Sequence, residues 1–232
     1  IEIFPVLNAL FEGIYGESPY KSPTDMGVNM IGFCMSDEDV CCNAAREEII
    51  RRYYYALCNL ADKGTNEHEV NKLSLIMKQA KLTTDYRKTT VAANERKNKD
   101  GVPCSAIELQ DGTIITARTS PLLGPSAALI LNAAKYLADI PHEVKLIPER
   151  MIAPIQKTKV GLLHGNNPRL HTDEVLVALS LLSNHDPDCR SALDQLPKLR
   201  GCQVHSTVML SEVDRKIFNK LGVELTCDPR TE

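Results

Sequence analysis

Three groups of polar side chains have the types and spacing to carry chemistry. The first is Lys21, Ser22, Thr24, Asp25 and Asn29, in a loop bounded by prolines. A lysine, two hydroxyls and a carboxylate in such a loop suit an anionic ligand. Equally, Thr24 and Asp25 are turn residues that satisfy nearby backbone donors. The second group is the run Asn166-Asn-Pro-Arg-Leu-His-Thr-Asp-Glu174. It reads as a helix start, where free N–H groups attract anions. Arg169 has the planar fork for a carboxylate or phosphate, and His171 the titration range for general acid–base work. The competing reading is a plain helix cap, with Thr172 as N-cap and Asp173 and Glu174 complementing the dipole. The third group is His205-Ser206-Thr207 in an otherwise apolar strand. It lines a pocket, or it lies on the solvated face of an edge strand. The catalytic candidates are therefore His171, His205 and Asp173. The ligand-binding candidates are Lys21, Thr24, Asp25, Asn29, Arg169, Ser206 and Thr207. The two histidines are expected to approach each other or a shared pocket, with Arg169 nearby.

Other catalytic patterns fail. His142-Glu143 is followed by Leu146 where a zinc-protease helix needs its second histidine. Gly124-Pro-Ser-Ala-Ala128 ends in Ala where a nucleophile elbow needs Gly. No Gly-rich loop ends in Gly-Lys-Ser/Thr. The cysteines at 34, 41, 42, 58, 104, 189, 202 and 227 form no Cys-x-x-Cys pair. They are expected reduced, several as small buried hydrophobes, and adjacent Cys41-Cys42 is poorly placed for a disulfide.

Composition narrows the classes. Lys and Arg number 27 against 30 Asp and Glu, a net charge of −3, without the basic excess of a nucleic-acid binder. No apolar run has the length of a membrane span, and no signal peptide is seen in these residues. The expectation is a soluble, cytoplasmic protein with no nucleic-acid or membrane partner. A chain of 232 residues buries roughly 70% of its unfolded surface and needs no metal or disulfide to fold. It opens on Ile1-Glu-Ile-Phe-Pro5, which reads as the interior of a fold and implies an upstream segment.

The elements that must position these residues follow from periodicity. Helices are predicted at Val6–Ile14, from Ser36 as N-cap to Gly64, from Asn66 with Glu69 as a capping box, and from Thr83 or Thr84 to Asp100. The second carries an apolar stripe Ala45, Ile49, Tyr53, Leu57, Leu60. After Gly101 the period changes to two. Asp111-Gly112 between β-prone runs predicts a hairpin with a type I′ turn. Pro125 opens a helix, buried on nearly every side, that runs to Ala138. Residues 141–168 read as irregular, with a short strand at Val144–Ile147. Helices at Thr172–Leu182, Asp188–Gln195 and Asp214–Leu221 alternate with strands at Val204–Leu210 and Val223–Cys227. The fold class is α/β: a mainly helical subdomain at 1–100, then an α/β subdomain at 101–232.

Four segments carry a family resemblance: Phe4-Pro-Val-Leu-Asn-Ala-Leu-Phe-Glu-Gly-Ile-Tyr-Gly16, Pro19-Tyr-Lys-Ser-Pro-Thr-Asp-Met-Gly-Val-Asn29, Asn167-Pro-Arg-Leu-His-Thr-Asp-Glu174 and Leu196-Pro-Lys-Leu-Arg-Gly-Cys202. The chain resembles a bacterial family, domain of unknown function eighteen-forty-six, whose members are about twice this length. The resemblance implies that this chain is the carboxyl-terminal half. Its partner would be a missing amino-terminal half, Rossmann-like, with a glycine-rich segment for a nucleotide; no cofactor is expected in the chain itself. Some members are labelled ATP-dependent peptidases, which nothing in these residues supports. The resemblance also implies a cytidine-deaminase-like topology from about residue 101. A zinc deaminase needs a His or Cys ligand, a Glu and a Pro-Cys-x-x-Cys pair at two helix starts. Here those positions read Pro125-Ser-Ala-Ala128 and Ser211-Glu-Val-Asp-Arg215, so no zinc is expected.

Two functions of different class remain open. One is an enzyme acting on a small anionic or nucleotide-related ligand. The other is a non-catalytic binding or assembly module on a degenerate deaminase-like fold, compatible with a homo-oligomer.

Overall fold

The computed structural model describes residues 3–20 and 38–230. Lys21, Thr24, Asp25 and Asn29, and the Ser36 cap, lie outside the described residues. Backbone contacts divide the chain into two compact units, Ile1–Arg87 and Lys88–Glu232.

The first unit is helical where it is described. Helix α1 spans Phe4–Tyr15 and ends at Gly16, whose φ of 82° lets its N–H reach Glu12 O. Helices α2 (Glu38–Lys63) and α3 (Glu67–Gln79) pack on each other. Their shared core holds Ile49, Ile50, Tyr54, Ala56, Leu73, Ile76, Met77 and Leu82. The predicted stripe is only partly the buried one, since Tyr53 and Leu57 pack at its margin. The expected capping box at Asn66 is absent. Asn66 adopts φ 75° and makes no side-chain cap; its carbonyl instead accepts from Glu69 and Val70 N–H. The predicted helix from Thr83 to Asp100 is broken. A 3₁₀ turn covers Thr84–Tyr86, and Arg87 is extended. Arg87 is fully buried, with Nη1 2.9 Å from Glu47 Oε2. Holding that ion pair takes the backbone out of helical geometry.

In the second unit, α4 (Lys88–Asp100) precedes strands β1 (Cys104–Glu108) and β2 (Ile114–Arg118). Helices α5 (Pro125–Leu137), α6 (Glu149–Lys157), α7 (Thr172–Leu182) and α8 (Pro187–Asp194) follow. Strand β3 (Gln203–Ser206), helix α9 (Glu212–Leu221) and strand β4 (Glu224–Cys227) close the unit. The sheet order is β2-β1-β3-β4. Strand β1 runs antiparallel to both neighbours, and β3 and β4 are parallel.

The central strand β1 is buried on both sides, as Ala106 and Ile107 show. Helix α4 packs on β1, β2 and β3, and α5 on β1 and β2. On the α4 side, Lys88 Nζ lies 2.7 Å from Glu108 Oε1. Side chains alternate along a strand, so Ala106 and its partner His205 share the face of Glu108. Ser105 and Ser206, also partners, face the other way, toward the layer of α5, α7 and α9.

Three local expectations are corrected. The hairpin turn is not type I′. Leu109 N–H bonds Thr113 O, and Gly112 N–H bonds Leu109 O. Only Gly112 has positive φ, at 82°. That is a three-residue loop in which Gly112 closes a bulge, and Asp111 Oδ1 accepts from Thr113 N–H at 2.9 Å. No strand forms at 144–147; the carbonyls of His142 and Val144 there receive Lys135 Nζ instead. Within the supposedly irregular 141–168 lies α6, with Pro148 as its N-cap and Pro154 inside it, followed by a π turn at Thr158–Leu162.

Nothing lies within 4 Å of a Cβ built on Gly112, so Gly112→Ala meets only the left-handed backbone penalty. It should destabilise the second unit by about 1–2 kcal/mol. Asp111→Gly should also destabilise, since Asp111 does not have positive φ. Urea unfolding reads both; stabilisation by Asp111→Gly would restore the type I′ turn.

Candidate functional site

The site is assembled where helices begin. Ser211 caps α9, accepting Asp214 N–H at 3.2 Å, and its own hydroxyl donates to Asp214 Oδ2 at 2.8 Å. Asp214 is only 4% exposed, and a buried carboxylate needs partners for its lone pairs. Most come from the start of α7. Thr172 gives its N–H and its hydroxyl to Oδ1, at 2.9 and 2.8 Å. His171 Nδ1 lies 3.1 Å from Oδ2. Thr172 is therefore not the N-cap of α7. Its hydroxyl is committed to Asp214, and His171 occupies the cap position.

A second set of bonds fixes the approach to His171. Glu174 Oε2 accepts His171 N–H at 2.8 Å and Lys159 Nζ at 2.7 Å. Lys159 also donates to Arg169 O at 2.8 Å. A Cβ on Gly165 would stand 3.0 Å from Lys159 O, so glycine is what lets Gly165 N–H bond that carbonyl. Arg169 Nε donates to Ser120 O at 3.1 Å. Leu123 and Leu170 form a parallel bridge, and Gly124 N–H bonds Leu170 O. The starts of α5, α7 and α9 are thereby tied together.

The electrostatics follow. The hydrogen bond to Asp214 raises the His171 pKa above 6.5; burial opposes it. Burial alone would raise Asp214, but the bonds from His171, Thr172 N–H, Ser211 and Thr172 Oγ1 outweigh it and hold the carboxyl below its ordinary value. With Asp214 ionised, Nδ1 carries the proton and Nε2 is the working end of the ring. The His171 side chain is 27% exposed, so solvent reaches it. Ser211 is not a nucleophile poised on this histidine. Its oxygen stands on the Nδ1 side, 3.5 Å away, and its proton goes to Asp214, whereas a serine triad places the hydroxyl on Nε2.

The remaining sequence candidates are elsewhere. Asp173 Oδ1 accepts Glu174 N–H at 2.8 Å and serves the helix start alone. His205, Ser206 and Thr207 are fully buried. Strand β3 lies between β1 and β4, so the solvated edge-strand reading is overturned. His205 Nδ1 is 2.9 Å from Thr226 Oγ1, and Nε2 is 3.5 Å from Asp228 Oδ1. Thr226 Oγ1 donates to Val204 O, which leaves it to accept from His205. Thr207 Oγ1 accepts Cys104 N–H at 3.0 Å; Ser206 Oγ is buried with no hydrogen-bond partner. The structure does not bring the two histidines together. His205 points to the α4 side of the sheet, and His171 belongs to the α7–α9 layer on the other.

Asp214 and Lys159 went unnoticed in the sequence. The available signal for Asp214 was Ser211-x-x-Asp214, an N-cap pattern. Among the described residues no three His, Cys, Asp or Glu side chains gather as a metal set. No disulfide joins the described cysteines. Burial pushes the thiols of Cys104 and Cys202 up, and with Asp186 beside it that of Cys189 to about 11. Among the described residues no helix is long and apolar enough to cross a membrane.

Sheet, flanking helices and a solvent-reached His–Asp pair define a mixed α/β protein with a site at helix N-termini. Comparison with known proteins places it further. The family model "Domain of unknown function DUF1846, C-terminal" matches residues 85–232, and "Domain of unknown function DUF1846, N-terminal" matches residues 1–81. A UPF0371 protein of Corynebacterium urealyticum is 49% identical over 230 residues. Those of Corynebacterium aurimucosum and Streptococcus pneumoniae are 47% and 43% identical over 229 residues. Each match covers 99% of this chain and 46% of the relative, so the chain spans about half the length of these curated relatives. The chain belongs to the DUF1846 family. One implication of the resemblance is corrected: the family's N-terminal model is itself matched within this chain, at residues 1–81, beside the C-terminal model at 85–232, so the expectation of a missing amino-terminal half as the partner the chain needs does not stand.

The His171 ring should titrate above 6.5. Its contribution to stability is then complete below 6.5 and is lost as pH rises through the raised midpoint. Asp214→Asn removes the main cause of the rise and leaves burial opposing protonation, so the midpoint should fall to 6.5 or lower. Imidazole NMR titration measures both; an unraised midpoint in the unmutated protein refutes the pairing.

Proposed function

We propose that the second unit is an enzyme domain that transfers a proton to or from a small anionic or nucleotide-related ligand, with His171 as general acid–base and Asp214 as the group that orients it. The observation that carries this reading is the 3.1 Å contact of His171 Nδ1 with buried Asp214, which leaves Nε2 for a ligand. Lys159 and Arg169 add positive charge beside it, and the helix starts add the positive ends of their dipoles. Glu174 offsets part of that charge through its bond from Lys159.

We read residues 101–232 as having cytidine-deaminase-like topology, with α4 packed on their sheet and the helical subdomain ending at Arg87 rather than at 100. In favour of the topology stand the sheet order and a hairpin followed by α5, with α9 joining the parallel pair β3 and β4. Residence in the cytoplasm fits described cysteines that form no disulfide with one another.

The test is a mixture of phosphorylated and carboxylated metabolites, each followed by mass spectrometry. The unmutated protein should deplete at least one of them. His171→Gln should slow that depletion by about 10²–10⁴-fold, the usual worth of a general acid–base. No depletion, or depletion untouched by His171→Gln, defeats the reading.

A second reading, a self-associating binding module, has one observation in its favour. Ile3 at the N-cap of α1 and Val6, Leu10 and Ile14 within it are 63%, 67%, 52% and 62% exposed, an apolar stripe at helical spacing. Light scattering should then show a concentration-dependent homo-oligomer that Leu10→Glu disperses. A monomer at every concentration rejects this reading.

A further inference from the structure

A cavity of about 450 Å³ lies between α5 and the segment 142–152. Its α5 wall is Ala128, Leu131, Asn132 and Lys135, positions that share one helix face at their spacing of three and four. The opposite wall includes Leu146, Ile147 and Ile152, all buried. Lys135, Asn132 and His142 also line a smaller cavity of about 220 Å³. Lys135 is therefore a buried cation that lines two hollows, 8% exposed.

Its hydrogen bonding is incomplete for its charge. Nζ donates to His142 O at 2.6 Å and Val144 O at 3.0 Å. An ammonium has three donors, and no carboxylate of the described residues stands within ion-pair distance of this one, the charge of Glu143 acting on it only from further away. Burying a charged amine is unfavourable, and two neutral carbonyls do not supply a counter-charge at contact. Were Lys135 only a staple for the 142–144 loop, an uncharged donor would serve without that cost. The other charged groups at the cavity, Glu143, Lys145 and Glu149, are exposed at its mouth and cancel in part. Water screens them far more than it screens Lys135.

We propose that this cavity binds a small amphipathic carboxylate, its head on Lys135 Nζ and its apolar body against Leu131, Leu146 and Ile152. The volume falls within the range of small-molecule sites, which are mostly apolar with a few placed polar groups. The site is separate from the His171–Asp214 pair and stands whether or not that pair is catalytic.

The probes are benzoate and its uncharged analogue benzyl alcohol, titrated into the full chain while the methyl resonances of Leu131 and Ile152 are followed. Benzoate should bind at least ten-fold more tightly than benzyl alcohol, with shifts centred on those methyls. Lys135→Met should abolish the preference. Ala128→Leu, which fills the cavity without touching the lysine, should abolish the benzoate shifts and leave the His171 titration unchanged; this second variant decides the matter even if the first fails to fold. Equal binding of the two probes overturns the proposal. So does a preference that survives Lys135→Met, or benzoate shifts that persist in Ala128→Leu.

Discussion

The working end of the second unit depends on one carboxylate. Asp214 accepts four donors: His171 Nδ1–H, the N–H and hydroxyl of Thr172, and the hydroxyl of Ser211. Unpaired, a carboxylate this deeply buried would be several kcal/mol unfavourable. Its satisfaction therefore constrains everything that supplies a donor. Helix α7 must begin at Thr172 for that N–H to be free of intrahelical bonding. Helix α9 must begin just after Ser211 for the hydroxyl to reach. The histidine is held by one nitrogen as a by-product of the same requirement, which leaves its other nitrogen as the only one free to act.

Among the described residues there are two His–Asp pairs, and their surroundings separate their roles. His205 is sealed between strands, with Thr226 and Asp228. Asp228 N–H also bonds Ser206 O, so that pair carries the parallel β3–β4 ladder past its last residue. Burial would raise the Asp228 carboxyl, but the hydrogen bond and charge of His205 outweigh it and hold it low. No ligand reaches a ring with no exposed surface. His171 has the same chemistry at an element end, in reach of solvent, which is the difference that matters for function.

Legibility in the sequence followed the range of the interaction. Helix α5 was plain because its burial is written in consecutive residues, and the hairpin because Asp111-Gly112 is a local signal. The turn type was not, since Asp111 spends its side chain on Thr113 N–H and so closes a longer loop. Residues 144–147 alternate like a strand, yet Lys135 claims the carbonyls of His142 and Val144. Arg87 interrupts a periodic helix because Glu47 receives it from 40 residues away. In the site, His171 stood out by type. Asp214 did not, lying 43 residues further on, where only the packing of α7 against α9 makes them neighbours.

The titration of His171 is set by opposed charges from three elements. Asp214 raises it through its hydrogen bond and its charge, and Glu174 raises it further, while burial and Lys159 lower it. Lys159 sits in the π turn, where Leu163 N–H bonds Thr158 O. That widened turn is an uncommon geometry often found at functional sites. Lys159 reaches both Glu174 and the carbonyl of Arg169, so its charge and its bracing act on the same loop. Glu174 divides one oxygen between that lysine and His171 N–H. Position and proton affinity of the imidazole are thus coupled: any movement of the π turn that draws Lys159 away removes a positive charge that lowers the pKa and loosens the main chain that holds the ring.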